Sequence, residues 1–262
     1  NVLYDGDYDG ILAGREGNTL RAISTDGRHV REKDLLLTPK DYPADCSCHV
    51  RDPKVWKDQG SYYMLLGART RGGLGETLLY RSEDKKAWRF LKTITATEPF
   101  GYMWECPDYF KVEGRPVLAF SPQGIEAEEY RFANIYQSGY LADVRLPDTS
   151  QIRDIYKKFR EWDLGFDFYA PQTFTSPDGR KILFAWMSRM EEEEEKLFGA
   201  GESSIHCMTL PRELSYRNGE LCQLPVRELE KSLCIHKISE QERQSGEIIL
   251  KNRVYCAKLS NL

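Results

Sequence analysis

The sequence has 262 residues, and its 37 Lys and Arg stand against 41 Asp and Glu, a formal charge of −4 at pH 7. This balance gives no electrostatic basis for binding nucleic acid or an anionic membrane. The longest uninterrupted apolar run, Ile182 to Met187, is far shorter than the roughly 20 residues of a membrane-spanning helix. We therefore expect a soluble protein without nucleic-acid or membrane partners.

The amino-acid composition points to a β protein. The chain holds 15 Tyr, 11 Phe and 5 Trp together with 20 Gly and 12 Pro. Aromatic residues are enriched in strands, whereas Gly and Pro are typical of tight turns. The composition therefore favours many short strands over a helical bundle.

The first residues carry no targeting pattern. The chain begins with Asn1 rather than Met, and Val2 to Tyr4 resemble the tail of a strand, so we expect a piece of a longer protein. The seven Cys are odd in number and show neither a disulfide framework nor paired zinc-ligand spacing. Free thiols predict a cytoplasmic location, and no metal or cofactor is implied.

An internal repeat runs along the chain. Each unit has a proline, a turn 7 or 8 residues later and an apolar strand after the turn, and the three units span Asp52 to Gly67, Cys106 to Phe120, and Ala170 to Trp186. Proline cannot donate to a ladder and suits the first position of a strand, so we expect each proline to open one. Further strands are predicted between the units, at Thr77 to Tyr80, Trp88 to Ile94 and Asn134 to Leu141. Strands that recur at this long period indicate the blades of a β-propeller.

The character of the chain changes after about residue 224. Charged segments follow, and then Ile248 to Leu250 and Val254 to Cys256 resemble two strands. Two strands are marginal by themselves. We therefore expect residues 1–224 to form one domain and residues 225–262 to form a linker and the start of a second β domain.

Acidic side chains precede the three repeated prolines. Because the first strands of successive blades line one channel, we expect Asp52 and Glu105 to face each other, with Asp167 before the third proline. Paired carboxylates beside a cleft are what glycoside hydrolysis requires. Acids at strand ends also commonly cap turns, so this alternative stays open. Flat faces for a sugar are offered by three aromatic residues, Trp104, Tyr169 and Trp186.

The same segments resemble signature motifs of a known family. Arg51-Asp52-Pro53, Trp104 to Asp108 and Asp167 to Phe174 are similar, in order and spacing, to three later motifs of glycoside hydrolase family 32, and Pro211 to Leu214 and Gln223 to Val226 support the match. That family contains invertases, sucrose-6-phosphate hydrolases, levanases and inulinases. The resemblance implies a five-bladed β-propeller followed by a β-sandwich, with the first blade and part of the second missing from this chain.

The resemblance also implies roles for individual residues. Glu105 would be the general acid/base, Asp52 the transition-state stabiliser with Arg51 beside it, and Trp186 part of the fructose pocket. The family is retaining, and its nucleophile is an Asp in a Trp-Met-Asn-Asp-Pro-Asn-Gly-like motif that this sequence lacks. We therefore expect a parent β-fructofuranosidase acting on a small carbohydrate, and an isolated segment that is inactive.

Two other functions remain open at this stage. The missing nucleophile is also natural in a non-catalytic, carbohydrate-binding propeller, and an inverting glycosidase would use Asp52, Glu105 and Asp167 with water. We expect Asp167 and His49 to make structural hydrogen bonds and Cys106 to fill space. The choice among sucrose, sucrose 6-phosphate and fructans is open, and the candidates for a phosphate contact are Arg69, Arg71 and Arg131.

Overall fold

A computed structural model describes residues 15–146, 148–165, 167–188 and 207–232. The chain divides into two compact units, Asn1–Pro225 and Val226–Leu262. Of the second unit, the described part contains a 3-10 helix at Arg227–Ser232. The strands expected at 248–250 and 254–256 lie outside the described residues, so the sandwich and its boundary remain predictions.

The described part of the first unit is built from strands. One α-helix, α1, has four residues, Ile155–Lys158, and a 3-10 turn covers Pro39–Asp41. No helix within the described ranges has the length and apolar character needed to cross a membrane. In chain order, the strands are β1 (Thr19–Ser24), β2 (Val30–Leu37), β3 (Cys46–Asp58), β4 (Ser61–Thr70), β5 (Gly75–Ser82), β6 (Arg89–Ala96), β7 (Met103–Val112), β8 (Arg115–Gln123), β9 (Gly139–Ala142), β10 (Gln151–Ile152), β11 (Arg160–Glu161), β12 (Tyr169–Thr175), β13 (Lys181–Met187), β14 (Cys207–Met208), β15 (Arg212–Arg217) and β16 (Glu220–Pro225).

The strands form three antiparallel sheets of similar plan, preceded by the hairpin β1–β2. The first sheet runs β3-β4-β5-β6, with β10 parallel to β6 at its edge; the second runs β7-β8-β9-β11; and the third runs β12-β13-β15-β16, with β14 on β13. Each sheet therefore begins with a strand that carries a repeated proline. This arrangement confirms the prediction that the repeat units are blades.

The repeated prolines sit inside these strands, not at their starts. The residue before each proline has a left-handed backbone, with φ of 59° at Asp52, 47° at Cys106 and 49° at Ala170. At each site two residues oppose one on the partner strand, so each first strand carries a β-bulge. The expectation that proline opens the strand is wrong, because a bulge interrupts the ladder locally and tolerates a residue without an N–H.

Turn glycines close the hairpins as predicted. Gly60, Gly114 and Gly179 follow the three prolines and have φ of 89°, 81° and 86°. Only glycine adopts such values without a steric penalty from a Cβ atom. Each first strand therefore returns directly into the apolar second strand of its sheet.

The first two blades approach each other closely at Trp104. Its ring stacks on Phe120 with centroids 4.2 Å apart, inside a core that includes Leu65 and Leu118. A Cβ atom added at Gly67 would lie 2.2 Å from the carbonyl oxygen of Trp104. The backbone of β4 therefore reaches β7 only because residue 67 has no side chain.

Replacing Gly67 with alanine tests this contact. We expect Gly67→Ala in the full-length protein to lower the free energy of unfolding by about 1–3 kcal/mol, the usual cost of overpacking. Gly72→Ala is the matched control, since its added Cβ meets nothing closer than 3.7 Å, and it should change stability by less than about 0.5 kcal/mol. Urea unfolding measures both, and equal midpoints for the two variants would show that the blades do not depend on this approach.

Candidate active site

Three bulges place three equivalent side chains together. Arg51, Glu105 and Tyr169 each lie two residues before a repeated proline, on β3, β7 and β12. The guanidinium of Arg51 donates to Oε1 of Glu105 through Nε at 2.8 Å and Nη2 at 2.5 Å. The hydroxyl of Tyr169 donates to Oε2 of the same carboxylate. The first strands of three blades therefore converge on Glu105.

A fourth donor completes the surroundings of Glu105. Nε2 of Gln123, at the end of β8, donates to Oε2 at 2.8 Å and lies 3.4 Å from the hydroxyl of Tyr169. Four donors from three blades therefore contact the two oxygens of Glu105. Gln123 was not predicted from the sequence, because it belongs to no motif. Its one signal is its place three residues after Phe120, the end of the second repeat unit.

Asp52 is held beside Glu105 by the backbone of the neighbouring blade. Its Oδ2 accepts the N–H of Cys106 at 3.0 Å, and the Cys106 thiol lies 3.6 Å from the same oxygen. A bulge leaves its extra residue outside the ladder, so the N–H of Cys106 is available to a side chain. The predicted pair of acids is therefore brought to the same end of adjacent blades. A cleft of about 270 Å³ opens beside Asp52, lined by residues 15–20, 48 and 50–53.

The hydroxyl and thiol of the site stay protonated at neutral pH. Burial, followed by the negative charge of Glu105, raises the pKa of Tyr169 far above its usual range. Burial also raises the pKa of the Cys106 thiol, with Asp52 acting in the same direction. Tyr169 is therefore a hydrogen-bond donor to Glu105, and Cys106 is not a thiolate nucleophile.

The predicted sugar-facing aromatics occupy different surroundings. Trp104 is completely buried, and its indole N–H donates to the carbonyl of Phe100 at 2.6 Å. Because neighbouring residues of a strand point to opposite faces, the face that carries Glu105 toward Arg51 and Tyr169 puts Trp104 in the core. The expectation that Trp104 contacts a sugar does not fit this burial. Trp186 lies on β13, half-buried and paired with Tyr169 across the ladder, and its contact with substrate stays a prediction.

Asp167 is not among the side chains that contact Glu105, and its structural hydrogen bond stays a prediction. It is exposed and precedes β12, which begins at Tyr169. Tyr169 instead takes the place in the third blade that Glu105 takes in the second. The offset from the proline, not the residue type, determines which side chains meet.

A second layer of side chains follows the prolines. Lys54, Asp108 and Gln172 each come directly after a repeated proline, and Nζ of Lys54 donates to Oδ2 of Asp108 at 3.1 Å and to Oε1 of Gln172 at 3.2 Å. Lys54 also donates to the carbonyl of Thr173 at 2.6 Å. Asp108 is 1% exposed and accepts the N–H and hydroxyl of Thr173 at 2.7 and 2.8 Å. Lys54 of β3 therefore links its own blade to the blades of β7 and β12. We call these contacts the Asp108 layer, and the contacts around Glu105 the Glu105 layer.

Burial raises the pKa of Asp108, while Lys54 and Thr173 oppose that shift. A buried carboxylate that loses its charged partner is strongly destabilising. We therefore expect Lys54→Met in the full-length protein to lower the free energy of unfolding by about 3–5 kcal/mol. Lys57→Met, an exposed position on the same strand, should cost less than about 1 kcal/mol.

Thermal or urea unfolding measures both lysine variants. Adding Asp108→Asn to Lys54→Met should recover part of the loss, because an amide carries no charge to bury. If Lys54→Met were as stable as Lys57→Met, the contacts of Lys54 would contribute nothing to the assembly of the blades.

Comparison with known proteins agrees with this geometry. The family model of the glycosyl hydrolases family 32 N-terminal domain matches residues 3–225. The chain belongs to glycoside hydrolase family 32. The chain is 42% identical to sucrose-6-phosphate hydrolase of Bacillus subtilis (strain 168), over 87% of this chain and 48% of the relative, and 41% identical to raffinose invertase of Escherichia coli, over 98% and 52%. It spans about half the length of these curated relatives.

Solved structures of the family share the fold. The GH32 beta-fructofuranosidase of Bombyx mori superimposes with a TM-score of 0.67 and 34% identity, over 80% of this chain and 44% of that one. Sucrose-6-phosphate hydrolase from Lactobacillus gasseri gives a TM-score of 0.67 and 30% identity, over 79% and 42%. The resemblance stated from the three motifs is confirmed, and with it the all-β fold built from propeller blades.

Proposed function

We propose that the protein containing this chain hydrolyses β-fructofuranosyl linkages of sucrose or a related small fructoside, with retention of configuration. The observation that carries this proposal is the carboxylate of Glu105, held by donors from three blades beside Asp52. Among the relatives, the names sucrose-6-phosphate hydrolase and raffinose invertase support it, as does a Bombyx mori family member solved in complex with sucrose. No cofactor is needed for this chemistry.

Glu105 is proposed as the general acid/base. In the first step it gives a proton to the oxygen that leaves the fructosyl carbon, and in the second it takes a proton from the attacking water. Arg51, Gln123 and Tyr169 fix the direction of the carboxyl group. The fixed direction matters because proton transfer needs the donor within hydrogen-bond reach of the reacting oxygen.

Asp52 is proposed as the stabiliser of the transition state. Positive charge develops on the fructosyl ring as the bond to the leaving oxygen breaks. A carboxylate already in place stabilises that charge without reorganising at the moment of reaction. The hydrogen bond from Cys106 N–H holds Asp52 in that place.

A retaining mechanism needs a second carboxylate about 5–5.5 Å from the acid/base. The sequence contains no Trp-Met-Asn-Asp-Pro-like motif, and the chain spans about half the length of its curated relatives. We therefore propose that the nucleophile lies outside this sequence and that the 262-residue chain alone is inactive. Sucrose cleavage by the full-length protein, compared with the isolated chain, tests this proposal.

The same assay separates the competing functions. A full-length protein that binds fructosides without cleaving them would be a carbohydrate-binding propeller. NMR of the first-formed anomer distinguishes retention from inversion, and a trapped fructosyl-enzyme ester supports the two-step route.

The contacts of the basic candidates bear on the choice between sucrose and sucrose 6-phosphate. Arg71 and Arg131 donate to the backbone carbonyls of Cys46 and Tyr156, at 3.2 and 2.7 Å. The guanidinium of Arg69 stacks over the ring of Tyr102 at 4.9 Å, and the N–H of Tyr102 donates to the carbonyl of Gln123. We therefore propose Arg69, which lies over Tyr102 next to Gln123, as the candidate for a phosphate contact.

A cytoplasmic location is proposed with the same function. The described cysteines, Cys46, Cys48, Cys106, Cys207 and Cys222, are free thiols. Free thiols are typical of a reducing compartment. This location fits an enzyme that receives its sugar already inside the cell.

The first functional prediction concerns Glu105. Glu105→Gln keeps the shape of the side chain and removes the transferable proton, so we expect kcat for sucrose to fall by about 10²–10⁴-fold. The loss should be much smaller for a fructoside whose leaving group needs no proton. Glu220→Gln, at the exposed first residue of β16, is the matched control. Steady-state kinetics with the two substrate types measure the difference. If kcat fell equally for both substrates, Glu105 would not be the general acid.

The second functional prediction concerns Asp52. Asp52→Asn retains an oxygen that accepts the Cys106 N–H and loses only the charge. We expect kcat to fall by about 10²–10³-fold, with a smaller change in KM, since the interaction strengthens as charge develops. Asp58→Asn, at the far end of β3, controls for the same change elsewhere. Near-native turnover of Asp52→Asn would mean that the transition state is stabilised by another group.

A further inference from the structure

We propose that His49 is a positioning residue, whose imidazole holds Arg51 in the orientation from which it donates to Glu105. The catalytic part of this inference rests on the proposed function. The positional part does not, because it concerns contacts within this chain.

All three nitrogens of the Arg51 guanidinium are engaged. Nε and Nη2 donate to Oε1 of Glu105, and Nη1 lies 2.9 Å from Nδ1 of His49. A guanidinium has donors and no acceptor. Nδ1 of His49 therefore accepts, which puts the imidazole proton on Nε2. The contact defines both the tautomer and the charge state that His49 must have.

The surroundings of His49 maintain that neutral state. Burial, then the positive charges of Arg51 and Arg15, lowers the pKa of His49 to about 4, while Glu105 opposes the shift. These charged groups come from β3 itself, from the segment before β1 and from β7. At neutral pH the imidazole is uncharged, and Nδ1 is available to Arg51.

The backbone beneath His49 is anchored independently of Arg51. The N–H of His49 donates to Oγ of Ser47 at 3.2 Å, and that hydroxyl donates to the carbonyl of Arg69 at 2.8 Å. His49 and Arg51 are two residues apart on β3, so their side chains leave the same face of the strand. His49 is therefore an anchored acceptor that reaches the outer nitrogen of Arg51.

The contact matters because a long side chain is costly to immobilise. Arginine loses much rotamer freedom when its side chain is fixed, and a guanidinium bound at one edge only can rotate away from its partner. When Nη1 of Arg51 is bound to His49, the guanidinium is held in the orientation in which Nε and Nη2 can donate to Glu105. A displacement of about 1 Å at a reacting centre can lower the rate by about 100-fold, so a guanidinium that moves away from Glu105 should lower activity measurably.

Two substitutions of similar size test the inference in the full-length protein. His49→Asn keeps an acceptor, because Oδ1 of Asn occupies nearly the place of Nδ1, whereas His49→Leu removes it. We expect kcat to fall about 10-fold in His49→Leu and to stay within about 3-fold in His49→Asn, with KM little changed in either.

Crystal structures of both variants supply the readout that does not need activity. Arg51 should leave Oε1 of Glu105 in His49→Leu and remain on it in His49→Asn. If Arg51 keeps both bonds in His49→Leu, or if the two variants lose kcat equally, the positioning role is wrong. If the wild-type protein cleaves no fructoside, the proposed function fails, and the position of Arg51 in the two structures still decides the role of His49.

Discussion

The β-bulge at each repeated proline is the constraint on which the rest of the site depends. In an unbroken strand, residues three apart point to opposite faces. The extra residue at the bulge shifts that alternation, so Arg51 and Lys54 of the same strand both reach the neighbouring blades. Three copies of the bulge, on β3, β7 and β12, produce the Glu105 layer and the Asp108 layer below it.

The contacts that join the blades also orient the site. Two cations of β3, Arg51 and Lys54, meet two carboxylates of β7, Glu105 and Asp108, and each pair receives further donors from β12. Buried charges are tolerated only when they are paired and hydrogen-bonded. Assembly of the blades and orientation of Glu105 therefore use the same interactions, and a change in one affects the other.

Particular residues show how far the sequence could predict the site. Asp52 and Glu105 were expected to face each other because the first strands of successive blades line one channel, and the structure brings them to the same end of adjacent blades. Trp104 was expected beside the sugar for its residue type, although alternation with Glu105 already directs it to the core. The ring of Tyr169 was expected to contact a sugar, whereas the structure shows its hydroxyl donating to Glu105.

The sequence by itself determined the β class, the repeat unit, the turn glycines and the family to which three motifs belong. These properties depend on local pattern and on spacing along the chain, and both can be read directly from the amino-acid sequence. Only the tertiary structure decided that Gln123 completes the surroundings of Glu105, that His49 contacts Arg51, and that Lys54 reaches a residue 119 positions away. Such contacts depend on which residues the bulge displaces and on how closely two blades approach. Neither the register shift nor the distance between blades can be read from the local sequence.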